Sequence, residues 1–254
     1  MRGRVAVVAA FAAVVGFAGF AAVWEHEEPA RAVAVAVERL TPTTAAPPTI
    51  PAPPFTAADA TVQEVPVYAA PGDVEPIITL TNPTPEDVPL TLLVKGAGPP
   101  GWLKVQYNRR PNGAVGFIPA STVQLRGVEN RIVVSISAKT LTVYRGTSDQ
   151  ALFQAPVATG RPQTPTPTGD FYIDVVVKTD RPTGVYGPYQ LSVAAFSDVL
   201  QSFAGGPGQM AIHGTNQPWV IGQDASNGCV RLTNEDVTAL KPFAPAGTPV
   251  TVVA

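Results

Sequence analysis

The stretch R-I-V-V-S-I-S-A-K-T-L-T-V-Y-R-G, residues 131–146, decides the fold class of the second half of the chain. Its two halves are rich in β-branched and aromatic residues, which favour strands. Ala138 and Lys139 stand between the halves, where we predict a turn. The stretch therefore predicts two successive strands.

Further strands are predicted after this pair, at 151–160, 170–178, 190–196, 209–213 and 249–253. One short helix is predicted from Asn234 to Leu240, capped by Thr233 or Asn234, with acidic residues in its first turn. The segment 129–254 is thus expected to be a mainly β, sandwich-like domain with one or two short helices.

Composition limits the classes of function. The chain has 254 residues, 45% of them hydrophobic, which is enough for one large or two modest globular domains. Its 17 basic and 19 acidic side chains give a net charge of −2, and no basic block is present in the sequence. Nucleic acid is therefore not an expected partner.

The first 24 residues predict an export segment. Arg2 and Arg4 precede an apolar run of nineteen residues, 5–23, and acidic residues follow it. The run is long for a cleaved signal and just long enough to span a bilayer, so a signal peptide and a membrane anchor both stay open. A buried N-terminal helix fits this charge asymmetry poorly. A signal peptide and a membrane anchor would both place the rest of the chain outside the cytoplasmic membrane, in the cell envelope.

A proline-rich linker is predicted over 25–60. The run T-P-T-T-A-A-P-P-T-I-P-A-P-P-F, residues 41–55, favours an extended polyproline II path and excludes helix. We expect a semi-rigid tether.

A small β domain is predicted over 61–127, where short β-rich runs alternate with turn residues. W-L-K-V-Q-Y (102–107), a turn at R-P-N-G and G-F-I-P (116–119) together resemble bacterial SH3-like barrels. Asn112-Gly113 suits a hairpin turn because both residues tolerate positive φ. The segment lacks histidine and cysteine, so we expect no catalytic site there.

The chemistry is predicted to lie in two polar segments, I-H-G-T-N (212–216) and A-S-N-G-C-V-R-L (225–232). The second contains Cys229, the single cysteine of the chain, and His213 stands sixteen residues before it. A thiol is a strong nucleophile only as thiolate, which a nearby base can generate. Backbone N–H groups around Gly228 and Cys229 could stabilise an oxyanion, and Arg231 could hold a carboxylate or lower the thiol pKa.

Other chemistries fit these residues less well. A single cysteine can be an inert core residue, but polar and glycine neighbours argue against that. Structural zinc needs four ligands, and the region offers one histidine and one cysteine. In papain-like enzymes the cysteine precedes the histidine by more than a hundred residues, the reverse of this order.

The paired segments closely resemble the signature of L,D-transpeptidases with a YkuD-type catalytic domain. The resemblance covers about 125 residues and includes T-P-T-G-D-F at 166–171, which is typical of the family. It implies that Cys229 is the nucleophile and His213 the general base. It also implies supporting or substrate-binding roles for a further set of residues: Ser226, Asn227, Gly228, Arg231, Gly214 and Thr215. Many members carry histidine where this chain has Asn227, so the base role falls on His213 alone.

The resemblance implies a reaction outside the cytoplasm without metal or organic cofactor. Cys229 would attack a peptidoglycan tetrapeptide stem, expel its terminal D-Ala, and pass the acyl group to the side-chain amine of a second stem as a 3-3 cross-link. Two alternatives stay open: an L,D-carboxypeptidase that uses water as acceptor, and a wall-binding protein without turnover. The group that orients His213 is also left open, with Ser226, Thr215 and a backbone carbonyl as candidates.

Overall fold

The structure, a computed structural model, describes residues 53–203 and 205–254, all within one compact unit, Val35–Ala254. The predicted export segment and most of the predicted linker lie outside these residues. Within the described part, no helix combines the length and the apolar content that a membrane span requires.

The N-terminal β domain is built on a five-stranded sheet in the order β6-β5-β4-β1-β7, with a two-stranded hairpin of β2 and β3 beside it. Its strands are β1 (Phe55–Ala60), β2 (Glu64–Val67), β3 (Ile78–Thr81), β4 (Thr91–Ala97), β5 (Trp102–Gln106), β6 (Val115–Pro119) and β7 (Val123–Val128). β5 and β6 pair as an antiparallel hairpin, as predicted, and Gly113 in its loop has a φ of 77°. The SH3-like resemblance itself stays a prediction.

The predicted linker boundary at residue 60 is wrong, because β1 lies inside it. This strand pairs with β4 on one side and β7 on the other, so it is central to the sheet. The sequence F-T-A-A-D-A has little β-branched character, and its strand conformation comes from this two-sided pairing rather than from propensity. Ala57 and Ala58 are completely buried there, where a larger side chain would not fit between neighbours.

The second sheet has eight strands in the order β10-β9-β8-β17-β12-β13-β14-β16. Its strands and the small β11–β15 pair are β8 (Asn130–Ser135), β9 (Thr140–Arg145), β10 (Ala151–Pro156), β11 (Thr159–Gly160), β12 (Gly169–Lys178), β13 (Tyr189–Phe196), β14 (Gln209–His213), β15 (Asp224–Ser226), β16 (Val230–Arg231) and β17 (Pro249–Val253). The mainly β prediction is confirmed, including the opening hairpin, in which β8 and β9 pair from Asn130–Arg145 to Ser135–Thr140.

One α-helix, α1 (Asn234–Leu240), covers the sheet near the site. The Thr233 hydroxyl accepts a hydrogen bond from the Asp236 backbone N–H, which caps the helix as predicted. Val237 and Leu240 are fully buried and join the apolar core, which the inward faces of the strands supply. A seven-residue helix is marginal alone, so its packing keeps it folded.

The two sheets contact each other directly. Leu93 of β4 packs with Tyr172 of β12 and Ala194 of β13 in a small buried cluster. The Gln106 amide donates to the Asp170 carbonyl at 2.9 Å. Such buried apolar and polar contacts fix the N-terminal β domain against the second sheet.

A buried carboxylate lies at this interface. Asp174 accepts hydrogen bonds from the side chains of Asn108 and Gln209. Burial raises its pKa to about 6, against the lowering effect of the Gln209 hydrogen bond.

Candidate active site

Two parallel strands bring the two predicted segments together. β14 ends at His213 and pairs with β16, with Ile212 opposite Val230 and His213 opposite Arg231. Paired residues point to the same face of a sheet, and so do residues two apart in one strand. Cys229 lies two residues before Arg231, and its sulfur is hydrogen-bonded to the backbone of Ala211 in β14. The thiol and the imidazole therefore lie at the same edge of the sheet.

The His213 ring is held in one tautomer. Its Nδ1 lies 2.5 Å from the Gly214 carbonyl oxygen, and a carbonyl can only accept, so we assign the proton to Nδ1. Nε2 is then left with a free lone pair. Of the three groups considered for orienting His213, this backbone carbonyl is the one that contacts the ring.

The electrostatics keep this imidazole neutral. The side chain is 2% exposed, and burial lowers the pKa of His213 to about 4, with the Gly214 hydrogen bond acting in the opposite direction and Arg231 adding to the lowering. At neutral pH the ring is an uncharged base.

The Cys229 thiol is also neutral at rest. The residue is partly exposed, but burial around the sulfur raises the pKa of the thiol, and the Ala211 backbone and the charge of Arg231 only partly oppose this. A resting thiolate–imidazolium pair is therefore not favoured. The thiol needs a base at the moment of attack.

Ser226 shapes the turn that presents Cys229. Its side chain is fully buried, donates to the Cys229 carbonyl at 2.6 Å and accepts from the Gly228 N–H at 3.1 Å. The prediction that the Gly228 N–H faces an oxyanion is therefore wrong, because the Ser226 hydroxyl already occupies it. Gly228 has a φ of 114°, a conformation that other residues adopt only with strain, which explains the glycine here.

A pocket opens at Cys229. One side is formed by the turn itself, with Asn227 and Gly228. The other lining residues come from the segment before β14, from the start of β14 and from Pro167: Ser197, Leu200, Phe203, Gly208, Gln209, Met210 and Pro167. This pocket is small, about 10 Å³, and Cys229 lines it whereas His213 does not. A larger cavity of about 830 Å³ is lined by residues of both β domains, and Cys229 is not among them.

Arg231 places a positive charge at the site. Its Nη1 reaches the Gln217 side-chain oxygen at 3.4 Å, while its Nε is buried without a hydrogen-bond partner among the described residues. Burial lowers the pKa of Arg231, the Cys229 sulfur opposes this, and Arg161 adds a smaller lowering. An unsatisfied buried donor beside a second arginine suits an anionic group such as a carboxylate.

The residues after His213 are held by α1. The Asn234 side-chain oxygen accepts from the Thr215 N–H at 2.9 Å. A Cβ on Gly214 would lie 2.3 Å from that same oxygen and 3.0 Å from the Gly187 Cα, so only glycine fits. Gly214 and Thr215 therefore contribute backbone geometry. The Thr215 hydroxyl accepts from the Gln217 N–H rather than contacting the imidazole.

Sequence reasoning missed Tyr186. Its ring meets the His213 ring edge-on, with centroids 5.0 Å apart. Burial raises the pKa of Tyr186, the negative form of Cys229 raises it further, and Arg231 lowers it. The residue lies in the loop between β12 and β13, and no local motif marks it, because only the packing of that loop over β14 brings it to the site.

The second half of the chain is similar to known proteins. A family model described as "YkuD: L,D-transpeptidase catalytic domain" matches residues 129–252. The candidate L,D-transpeptidase YkuD of Bacillus subtilis (strain 168) is 40% identical over 121 residues, which are 48% of this chain and 64% of the relative. Its counterpart in Bacillus licheniformis is 37% identical over 122 residues, again 48% of this chain and 64% of the relative.

An L,D-transpeptidase from Mycobacterium tuberculosis H37Rv, solved by X-ray crystallography, aligns with 65% of this chain and 90% of its own, at a TM-score of 0.42 and 17% identity. The chain spans less than two thirds, 64%, of the length of each of these two Bacillus relatives, and the segment matched by the family model contains His213 and Cys229. Residues 129–252 are thus similar to the YkuD family of L,D-transpeptidase catalytic domains.

Proposed function

We propose that the protein is a peptidoglycan L,D-transpeptidase that forms 3-3 cross-links through a cysteine acyl-enzyme. The observation that carries the proposal is the neutral His213, with Nδ1 bonded to the Gly214 carbonyl, at the same edge of the sheet as the only thiol of the chain. Its free Nε2 is the atom that can take the Cys229 proton.

The acylation half of the reaction uses that proton transfer. Nε2 of His213 takes the thiol proton as the sulfur attacks the carbonyl carbon of the third stem residue. The bond from that carbon to the terminal D-Ala nitrogen breaks, and the imidazolium returns its proton to the leaving amine. A thioester on Cys229 and free D-Ala result. The low pKa of His213 makes the imidazolium a strong acid toward the leaving group.

The deacylation half reverses the roles. The side-chain amine of a second stem attacks the thioester carbon, and His213 takes a proton from that amine. The carbon–sulfur bond breaks, and the imidazolium returns the proton to the sulfur, which regenerates the thiol and the neutral imidazole. With the Gly228 N–H occupied by Ser226, the Cys229 N–H is the proposed oxyanion donor of this turn.

The positive side of the pocket suits the substrate. A stem that ends in D-Ala carries a carboxylate near the scissile bond, and Arg231 offers a buried, unpartnered Nε. We propose that Arg231 binds this carboxylate, with Arg161 adding charge. No step of the scheme requires a metal or an organic cofactor.

The cellular setting is part of the proposal. The apolar run at 5–23, with arginines before it and acidic residues after it, supports export to the cell envelope, as a secreted or membrane-anchored protein. Peptidoglycan is found there. From the order of the domains along the chain, we propose that the N-terminal β domain contacts the cell wall or acts as a spacer.

Muropeptide analysis tests the activity. The purified full-length protein is incubated with tetrapeptide-rich peptidoglycan, and the digested products are separated and weighed. We expect 3-3 dimers and free D-Ala, both lost in Cys229→Ala, with Ser192→Ala as a control at a buried serine of β13. Tripeptides with D-Ala but without dimers would establish the carboxypeptidase alternative. Bound but unchanged wall would establish the non-catalytic one.

A further inference from the structure

A loop from the second sheet forms one wall of the Cys229 pocket. We call it the wall loop and define it as residues 197–208, of which Ala204 lies outside the described residues. Ser197, Leu200, Phe203 and Gly208 all line the pocket. The position of this loop therefore sets the width of the pocket.

The wall loop has little support of its own. Two of its apolar side chains face solvent, with Val199 54% exposed and Phe203 43% exposed. One backbone hydrogen bond joins its two ends, from the Ser197 N–H to the Gly208 carbonyl at 2.9 Å, and its other internal hydrogen bonds are local, such as those between the backbones of Phe203 and Gly206. A loop that buries so little apolar surface opens at low free-energy cost unless another part of the molecule holds it.

Arg110 of the N-terminal β domain holds the loop by its backbone. Its Nη1 donates to the Ser197 carbonyl at 2.8 Å, and its Nη2 donates to the carbonyls of Leu200 at 3.0 Å and Pro207 at 3.2 Å. The guanidinium carbon also lies 5.1 Å from the centre of the Phe196 ring. One side chain thus joins both ends of the loop, and the planar guanidinium is suited to such divergent acceptors.

Asn112, in the same hairpin loop, fixes the start of the wall loop. Its Oδ1 accepts from the Phe196 N–H at 2.7 Å and its Nδ2 donates to the Phe196 carbonyl at 2.8 Å. The amide therefore pairs with both backbone groups of one residue, as a neighbouring strand would. Nδ2 also lies 3.3 Å from the Asp198 carboxylate.

We propose that Arg110 and Asn112 are positioning residues through which the N-terminal β domain sets the shape of the Cys229 pocket. The N-terminal β domain then contributes to the active site, in addition to any contact that it makes with the cell wall. The positioning role of Arg110 and Asn112 rests on these contacts alone. The expected effect on the binding of the peptidoglycan substrate rests also on the proposed function.

Alkylation of Cys229 can report on the pocket, because Cys229 is the only cysteine of the chain. Full-length Arg110→Ala, Asn112→Ala and Arg110→Lys are compared with the wild type and with Arg109→Ala. Arg109 is a matched control from the same hairpin, since its one side-chain hydrogen bond is to the adjacent Asn108 carbonyl at 2.6 Å. Circular dichroism and melting curves establish that each variant is folded.

Two measurements report on the wall loop without requiring activity. Backbone amide exchange should rise about tenfold at residues 197–208 in Arg110→Ala, as expected when charge-assisted hydrogen bonds are lost, and less in Arg110→Lys. In Arg110→Ala, the ratio of the Cys229 alkylation rate with a bulky maleimide to the rate with iodoacetamide should be about three- to tenfold higher than in the wild type. Arg109→Ala should leave both quantities unchanged.

A third measurement connects the loop to the reaction. In cross-linking assays, Arg110→Ala and Asn112→Ala should raise KM several-fold and change kcat little, because Cys229 and His213 are untouched. Equal exchange and equal alkylation ratios in Arg110→Ala and Arg109→Ala would overturn the proposal. Altered exchange and alkylation in a protein without transpeptidase activity would support the positioning role and refute the proposed function alone.

Discussion

The neutral state of His213 makes a quantitative prediction about stability. Burial lowers its pKa to about 4, while a histidine in the unfolded chain titrates near 6.5. Between these values the unfolded chain binds a proton that the folded protein excludes, so the free energy of unfolding falls as the pH falls. The full difference of about 2.5 pKa units corresponds to about 3 kcal/mol, and about 2 kcal/mol of it is lost between pH 7 and pH 5.

Urea denaturation of the wild type and of His213→Gln, at half-unit steps from pH 4 to pH 8, isolates this contribution. Glutamine does not titrate and can still donate to the Gly214 carbonyl. The stability of the wild type relative to the variant should be constant above pH 7 and should decrease by about 2 kcal/mol on reaching pH 5. Other titrating groups cancel in this difference if they lie apart from the ring. Parallel curves for the two proteins would refute the reasoning that the imidazole is buried and neutral.

Three other perturbations have definite expected outcomes. Alkylation of Cys229 by iodoacetamide should accelerate with pH throughout the neutral range and into alkaline solution, because the thiol pKa is raised, and a rate plateau at neutral pH would instead indicate a preformed thiolate. Ser226→Ala should lower the free energy of unfolding by about 2–4 kcal/mol in chemical denaturation, since two buried backbone groups lose their partner, whereas Ser192→Ala, which loses one 3.3 Å contact, should cost under about 1 kcal/mol. Asp174 has a raised pKa of about 6, so its ionisation destabilises the fold as the pH rises from 4 to 8. The stability of the wild type relative to Asp174→Asn should fall by about 2 kcal/mol over that range, and a constant difference would contradict the burial of this carboxyl.

Local sequence patterns were sufficient for most of the secondary structure. The strand pair at 131–146 and the helix Asn234–Leu240 were both predicted, because β-branched runs, turn residues and a capping threonine act over a few residues. β1 was missed for the opposite reason. Its alanines do not favour a strand, and its conformation depends on β4 and β7, which follow it by more than thirty residues.

For the candidate site, too, the sequence predicted one part and the structure decided another. The residue types and order of I-H-G-T-N and S-N-G-C-V-R-L were enough to select Cys229 and His213 and to predict that one loop could join them. Which group orients the imidazole was not decided, since a serine, a threonine and a carbonyl were all compatible with the sequence. The structure selects the Gly214 carbonyl and assigns Ser226 to the Cys229 turn.

The sequence by itself therefore determined the β architecture and selected the proposed nucleophile and base, because each depends on short runs of residues whose chemistry is local. Only the tertiary structure decided that the thiol and the imidazole are both neutral, that Tyr186 lies against His213, and that Arg110 holds the wall of the pocket. These properties depend on burial and on contacts between residues far apart in the chain, such as the 87 positions between Arg110 and Ser197. Such burial and such contacts arise only when the chain folds into its tertiary structure.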